Sequence, residues 1–303
     1  MMSATIVVGV QGTEPSRSAL RWSVRRAGAI SATVVLVHVL DDEWATLSAR
    51  IQEDLHEDAR RLVEREAEYA SSLAPGVVVR TRLLHGSLMN ELLAASGSAD
   101  MVAVGTHKTG FVNGKVFGSR SLLLAAAART PVAIIPGTSK REGRGVVVGV
   151  DGSVASDLAI HYAAIEADRA REHLTLLQAF TVSPSLERRD ELRSGLVRHI
   201  EAHSATLLSD AARLAHSVAP AIEVRIRSVR RPAAQALVDA SAGASLLIIG
   251  GSRSSGGEPV VVGSVGHDVL INLTGPTIVV PETVSIAGRG AHDVTPAGSA
   301  LGS

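Results

Sequence analysis

The sequence predicts an α/β protein made of two tandem, doubly wound parallel sheets with five strands each. Apolar runs of strand length alternate with segments of helical spacing along the chain. Several runs are apolar at every position, which is typical of strands buried on both faces of a parallel sheet. The order of elements also repeats, because the run that contains Ile6 returns at Val146, 140 positions later.

The composition restricts the class of protein. The 303 residues suffice for two domains of about 150 residues, and their 2% aromatic content requires cores of Val, Leu, Ile and Ala. The net charge of 0 argues against binding of nucleic acid or an anionic membrane. The lack of cysteine excludes disulfides and thiol catalysis and fits a reducing cytoplasm. No apolar run has the ~20 residues of a membrane span, and Arg17, Arg21 and Arg25 interrupt any early signal-peptide core.

The first half begins with a strand and ends with one. Leu20, Val24 and Ala27 show the helical spacing of its first helix. The segment 77–84 alternates more than the other strands, which predicts a place nearer the sheet edge. Two prolines delimit 131–136, which suits an edge or an interface. The predicted strands cover 5–10, 33–40, 77–84, 101–104 and 131–136, and the predicted helices cover 15–29, 47–73, 86–96 and 119–128.

The second half repeats this order. Segments 146–153 and 174–179 match 6–13 and 34–39 at the same offset of 140. A proline in the first turn is predicted for the helix over 232–242. The remaining counterparts are a long helix over 186–218, a strand over 222–229 and a last strand over 276–281.

These matches define the domain organisation. We place the first domain at 1–139, a polar linker at 140–145 and the second domain at 146–282. The segment 283–303 is rich in Gly, Ser, Ala and Pro, and it is predicted to be a disordered tail.

A glycine-dotted basic loop follows the fourth strand of the first half. The apolar run 101–104 ends at Gly105, and the loop closes at Gly118 and Ser119, where the next helix begins. Such a loop presents unpaired backbone N–H groups and the positive end of the helix dipole, which together bind anions. Phosphate is the usual ligand.

The second half carries the same loop. Gly250 and Gly263 are 13 positions apart, as are Gly105 and Gly118, and Ser264 takes the place of Ser119. A base, Lys108 or Arg253, stands three positions after the first glycine of each loop. Recurrence at equal spacing favours a phosphate site over unrelated loop glycines.

Each half brings further residues to the same edge of its sheet. Ligands of open parallel sheets bind outside the carboxyl ends of the strands, at the switch in strand order. The residues predicted to lie at strand ends are Gln11, Val39 and Gly105 in the first half and Asp151, Ala179 and Gly250 in the second.

Residues 5–136 and 146–281 both resemble the universal stress protein family, and the chain resembles its tandem form. The family motif is a glycine, two residues, a second glycine, nine residues, and Gly-Ser or Gly-Thr. The stretches that begin at Gly105 and Gly250 match it, and Asp151 matches the family's nucleotide-contacting Asp. The resemblance implies a Rossmann-like fold of the adenine nucleotide alpha hydrolase type, with the last strands of the two halves paired. It also implies binding of ATP, AMP or a cyclic nucleotide in some members and of none in others.

Three positions depart from the family pattern. Gln11 replaces the motif Asp, and it lacks the charge that strengthens a hydrogen bond to a ribose hydroxyl. Lys108 and Arg253 replace the second glycine, where a base restricts close backbone approach but can itself reach phosphates. An alternative register starts the second motif at Gly251; the Gly250 register keeps the spacing of 13.

We therefore predict a candidate nucleotide pocket in each half, leave open whether one or both bind, and predict no catalytic or metal-binding residue. Phosphates are expected on the glycine loops, adenine near Val39 or Ala179, and ribose at Asp151. Other interpretations remain open, namely Ser119 and Ser264 as helix N-caps, Asp151 as an Asx turn, and Lys108 and Arg253 as solvated bases. The predicted residues are Gln11, Val39, Gly105, Thr106, Lys108, Gly118, Ser119, Arg120, Ser121, Asp151, Ala179, Gly250, Arg253, Gly263, Ser264 and Val265.

The leading functional hypothesis is a cytoplasmic stress-response signalling module that binds ATP or another adenine nucleotide, with Mg²⁺ as a companion left open. Its expected partners are an unknown regulatory protein and a second tandem chain. The rivals are a nucleotide-free interaction scaffold with decayed motifs and a slow ATPase, for which Glu258 is the chief loop acid. His199 and His203 are spaced i, i+4 on a predicted helix and could bind a metal ion with a third ligand. No carboxylate partner is evident in the sequence, so we interpret them as two surface histidines.

Overall fold

The computed structural model describes residues 3–41, 48–107, 111–112, 115–116, 119–137, 143–182, 190–251 and 262–283. The elements of the first half are β1 (Thr5–Gly9), α1 (Glu14–Ile30), β2 (Thr33–Leu40), α2 (Ala49–Leu73), β3 (Val79–His85), α3 (Leu88–Ser96), β4 (Met101–Thr106), β5 (Phe111–Val112), β6 (Lys115–Val116), α4 (Ser119–Ala127) and β7 (Val132–Pro136). The elements of the second half are β8 (Val146–Gly149), α5 (Val154–Ala170), β9 (Leu174–Phe180), α6 (Asp190–Val218), β10 (Val224–Arg230), α7 (Ala233–Ser241), β11 (Leu246–Gly251), α8 (Ser264–Ile271) and β12 (Thr277–Pro281).

The predicted α/β architecture of two five-stranded sheets is confirmed, and the two sheets join into one of ten strands. The strand order is β10-β9-β8-β11-β12-β7-β4-β1-β2-β3. All neighbours in this sheet are parallel except the central pair β12 and β7, where Ile278 lies opposite Ala133 in an antiparallel register. The last strands of the two halves therefore pair, and β3 and β10 form the outer edges, as the alternating pattern of 77–84 predicted.

Helices cover both faces of the sheet. Along β1, Ile6 and Val8 belong to the cluster formed with α1, α2, α5 and α6, whereas Val7 belongs to the cluster formed with α3, α4, α7 and α8. Because side chains alternate between the faces of a strand, continuous apolar runs are needed to fill both layers. This packing accounts for the runs of Val, Ile and Leu in the sequence.

The repeat extends to the ends of the helices. The Thr13 hydroxyl accepts a hydrogen bond from the Ser16 N–H at the start of α1, and Ser153 does the same for Ser156 at the start of α5. Both helices then end on a residue with a positive φ, namely Ser31 at 53° and Arg171 at 54°. The sequence predicted a proline in the first turn of α7. This prediction is wrong, because Pro232 is the N-cap of α7 and precedes its first turn.

A buried ion pair connects the halves beside the central strands. Arg26 on α1 and Glu166 on α5 are 140 positions apart, so they occupy equivalent places in the two repeats. The Arg26 Nη2 atom lies 2.5 Å from the Glu166 Oε1 atom, and their side chains are 12% and 4% exposed. Two copies of the same half would place like charges at this point, so the pair favours association of the first half with the second.

Candidate functional site

Each half contains one pocket at the carboxyl ends of its parallel strands. The first has a volume of about 370 Å³ and the second about 300 Å³, at the lower end of the range of small-molecule sites. The first pocket is formed by the ends of β1, β2 and β4 and the start of α4, and the second by the ends of β8, β9 and β11 and the start of α8. This is the edge where open parallel sheets bind ligands.

Most of the predicted site residues within the described segments line these pockets. The first is lined by Gln11, Val39, Gly105, Arg120 and Ser121, and the second by Asp151, Ala179, Gly250, Gly263, Ser264 and Val265. Thr106 is buried beside the first pocket without lining it, and its hydroxyl donates to the His107 carbonyl at 3.0 Å. Lys108, Gly118 and Arg253 lie outside the described residues, and of Ser119 only the position at the start of α4 is described.

Close backbone packing, which the sequence motif does not reveal, requires glycine at two positions in these pockets. Gly105 and Gly250 lie inside β4 and β11, which continue past the predicted strand ends, and neither has a positive φ. A Cβ atom on Gly105 would lie 2.1 Å from the Pro15 carbonyl oxygen, and one on Gly250 would lie 2.5 Å from that of Ala155. Glycine therefore lets the first turn of α1 or α5 pack directly on the strand.

The turn after the first strand of each half is held in the same way. The Gln11 N–H donates to the Ser16 hydroxyl at 3.1 Å, and the Asp151 N–H donates to the Ser156 hydroxyl at 3.3 Å. Asp151 adds a contact of its own, since its Oδ1 atom accepts the Ser153 N–H at 2.9 Å, which is an Asx turn. Asp151 therefore forms an Asx turn and also lines the pocket, so the two interpretations are compatible.

The helix that closes the second pocket begins at a glycine. Gly263 is the N-cap of α8, and Ser264 is its first residue, so the interpretation of Ser264 as an N-cap is wrong. The Gly263 carbonyl accepts the His267 N–H at 2.9 Å, which starts the helical ladder. The N–H groups of the first turn have no partner within the helix, and they are available to an anion in the pocket.

The electrostatic character of the two pockets differs. Arg120 contributes a cation to the first pocket, and no carboxylate occurs among its described lining residues. Asp151 contributes a carboxylate to the second, which has no basic side chain among the described ones. Burial raises the pKa of the nearby Asp157 carboxyl, and the negative charge of Asp151 adds to this shift. The first pocket thus favours phosphate, and the second offers an acceptor for hydroxyl groups.

The apolar wall of each pocket was not predicted from the sequence. Leu88, Met89 and Leu92 of α3 line the first, and Ala233 and Leu237 of α7 line the second. Their apolar helical spacing was visible, but the sequence does not show that α3 and α7 lie over the strand ends. His107, directly after β4, was also missed as a lining residue.

Comparison with known proteins decides the family. A model of the universal stress protein family matches residues 2–136 and again residues 144–281. The chain belongs to the universal stress protein family. The two matches correspond to the two halves of the ten-stranded sheet, so this is a tandem universal stress protein.

Relatives with the same tandem length occur among mycobacteria. A universal stress protein of Mycolicibacterium smegmatis is 28% identical over 295 residues, covering 91% of this chain and 96% of the relative. One of Mycobacterium tuberculosis is 29% identical over 304 residues, covering 93% and 98%. The crystal structure of a universal stress protein from Archaeoglobus fulgidus has a TM-score of 0.68 at 16% identity and covers 93% of this chain and 100% of that one, which supports the fold.

The described part of this universal stress protein contains no cluster of three His, Asp or Glu side chains that could hold a metal ion. His199 and His203 are both exposed on α6. None of the described helices has the length and apolar character needed to span a membrane.

Proposed function

We propose that this tandem universal stress protein is a cytoplasmic signalling module of the stress response, and that it binds ATP or another adenine nucleotide. The pair of pockets at the carboxyl ends of the strands supports the proposal most strongly. Each pocket combines an apolar wall with the N-terminal end of a helix. That combination suits a ligand with a flat apolar base at one end and phosphates at the other.

The parts of the nucleotide correspond to different sides of each pocket. The adenine would pack between the strand end at Val39 or Ala179 and the apolar side chains of α3 or α7. The phosphates would accept hydrogen bonds from the first-turn N–H groups of α4 or α8. Arg120 would add a cation to the phosphates in the first half, and Asp151 would accept a ribose hydroxyl in the second.

A Mg²⁺ ion would reach such a site mainly through the nucleotide. Mg²⁺ is usually held by one or two carboxylates together with substrate phosphates, and Asp151 is the carboxylate among the described lining residues of both pockets. Phosphoryl transfer would also need a residue that orients the attacking group, and we assign that role to none of the described lining residues.

We therefore propose a binding module, whose nucleotide-bound surface is recognised by a regulatory protein. Association of two tandem chains also remains a prediction.

Occluding one pocket at a time tests the proposal. Titration calorimetry would measure binding of ATP, AMP and cAMP to the wild type, to Val39→Trp and to Ala179→Trp. An indole ring at either position would occupy the part of the pocket proposed for the adenine, so we expect each variant to lose the site of its own half. The control is Val78→Trp, at a position that is 55% exposed and lines neither pocket.

The outcomes separate the proposal from its rival. Loss of binding in one pocket variant, with unchanged binding in Val78→Trp and an unchanged melting temperature, identifies the half that binds. Unchanged affinity and stoichiometry in both pocket variants would contradict the proposal. A wild type that binds none of the three nucleotides would favour the nucleotide-free scaffold.

A further inference from the structure

A third cavity lies where the two halves meet. It is a cleft with a volume of about 790 Å³, lined by α1 of the first half, α5 of the second half and residues at the ends of the central strands. None of its described lining residues is shared with either of the pockets proposed for the nucleotide. Because both halves contribute to its wall, the cavity exists only in the paired arrangement.

The wall of this junction cavity is strongly basic. Among the described residues, five arginines and two glutamates line it, a formal charge of +3 in a chain whose net charge is 0. The arginines are Arg21, Arg25, Arg26, Arg144 and Arg169, and the glutamates are Glu166 and Glu172. Such a concentration of guanidinium groups around one concave surface favours an anionic ligand.

Both carboxylates already serve the protein itself. Glu166 pairs with Arg26, and its Oε1 atom also lies 3.3 Å from the Arg169 Nη1 atom. The Glu172 Oε2 atom accepts the Gly145 N–H at 2.8 Å and is hydrogen-bonded to the Ser245 hydroxyl. Neither glutamate is therefore available to neutralise Arg144, whereas Arg21 pairs with Glu14, which does not line the cavity, at 2.6 Å.

Two of the arginines remain accessible to a ligand. The Arg169 side chain is 49% exposed although it touches Glu166. Arg144 is exposed, and it forms no ion pair with any residue in the described part of the chain. They belong to the second half and to the segment that leads into it, and they line the same cavity as Arg25 of α1.

The rest of the wall is apolar. Trp22, Ile30 and Ile135 line the cavity from the first half, and Leu246 and Pro276 line it from the second. A bare inorganic ion would leave this surface in contact with water. An anion with an aromatic or aliphatic body would cover it and gain the free energy of apolar burial.

The basic wall is not a by-product of the repeat. The α1 arginines Arg21 and Arg25 correspond, at the offset of 140, to His161 and Ile165 of α5. The third α1 arginine that lines the cavity, Arg26, corresponds to Glu166. None of the three α1 positions therefore has an arginine as its counterpart in α5, so the repeat alone does not account for the charge of the wall. The alternative is that these arginines are only solvated side chains at the junction. That interpretation does not explain why they surround a cavity of about 790 Å³ that also has an apolar wall.

We propose that the junction cavity binds a small phosphate monoester with an aromatic or aliphatic body. The phosphate would be held by Arg144 and Arg169, in the bidentate manner that guanidinium groups favour, and the body would lie against Trp22 and its apolar neighbours. A ligand in this place contacts both halves, so it stabilises their pairing through mass action. This site is independent of the proposed nucleotide pockets.

Phenyl phosphate is a suitable probe for the full chain. Calorimetric titrations would compare the wild type with Arg144→Ala/Arg169→Ala and with the control Arg129→Ala/Arg198→Ala, which removes two exposed arginines that do not line the cavity. We expect one phenyl phosphate per wild-type chain, with affinity weakened about tenfold or more in the cavity variant and unchanged in the control. Inorganic phosphate and phenol should each bind more weakly than phenyl phosphate. Inorganic phosphate lacks the aromatic body that would cover the apolar wall, and phenol lacks the phosphate that the arginines would hold.

Repeating the titration in the presence of ATP separates the two proposals. Binding of phenyl phosphate that persists at saturating ATP, or in a chain that binds no ATP, places the probe outside the nucleotide pockets. Competition by ATP, equal affinity in the wild type and the cavity variant, or no saturable binding would overturn the junction site. Both substitutions are at exposed or half-exposed positions, and a melting curve for each variant checks that it is folded.

Discussion

Arg26→Glu is expected to lower the free energy of unfolding by about 3–5 kcal/mol, and Glu166→Arg in the same chain should restore most of the loss. The wild-type pair is buried, with 12% and 4% of its side chains exposed. The single variant places two carboxylates together at the junction of the halves. Reversal of both charges returns an opposite pair and leaves the total charge of the group with Arg169 unchanged. Urea unfolding of the two variants and the wild type measures the effect.

The surroundings of Arg26 explain why the loss should be large. Its Nη2 atom also lies 3.4 Å from the Tyr162 hydroxyl, and its guanidinium group lies over the Trp22 ring, 5.5 Å from the centroid. Burial lowers the pKa of Arg26, and the positive charge of Arg169 lowers it further, so the Glu166 carboxylate is needed to stabilise the cation. Glu166→Arg alone should also be destabilising, because it brings three arginines together.

The matched control is Arg61→Glu. Arg61 pairs with Asp58 at 3.0 Å, but the two side chains are 55% and 74% exposed, so its reversal should cost no more than about 1 kcal/mol. The account of the junction fails if Arg26→Glu is no more harmful than Arg61→Glu. It also fails if the double reversal is as unstable as the single one.

Gly105→Ala is expected to destabilise the protein by about 1–3 kcal/mol, towards the upper end of what overpacking costs. The added methyl group would lie 2.1 Å from a carbonyl oxygen of the backbone, at Pro15, which cannot turn away as a side chain would. Relief requires α1 to shift from β4, and both elements line the first pocket. We therefore expect weaker nucleotide binding in the first half as well, measured together with thermal unfolding.

Gly76→Ala is the control for this substitution. A Cβ atom at Gly76 would meet no atom within 4 Å, so its effect should stay within about 0.5 kcal/mol. Gly250→Ala should resemble Gly105→Ala, because its methyl group would lie 2.5 Å from the Ala155 carbonyl oxygen. Equal stability of Gly105→Ala and Gly76→Ala would refute the close-packing role.

Periodicity and internal repetition were enough to predict the fold. Continuous apolar runs identify strands covered on both faces, and equal offsets identify two copies of one domain. The pairing of the two last strands was implied by family resemblance rather than by periodicity, since an apolar strand bounded by prolines fits any edge or interface. Its antiparallel register, with Ile278 opposite Ala133, was not predicted.

The site could be predicted only in part. Strand ends place Gln11 and Val39 together in the first half, and Asp151 and Ala179 together in the second, because the strands within each half are parallel and end together. The role of Gly105 differs from the motif interpretation, since its contact with Pro15 depends on how α1 crosses β4. The junction cavity was not foreseen either, because it requires the relative placement of two helices that are far apart in sequence.

A crystal structure of the wild-type protein grown with saturating ATP tests the central claim most directly. We predict adenine beside Val39 or Ala179 and phosphates at the N-terminal end of α4 or α8. ATP bound elsewhere, or both pockets without ATP, would contradict the assignment of these pockets to an adenine nucleotide.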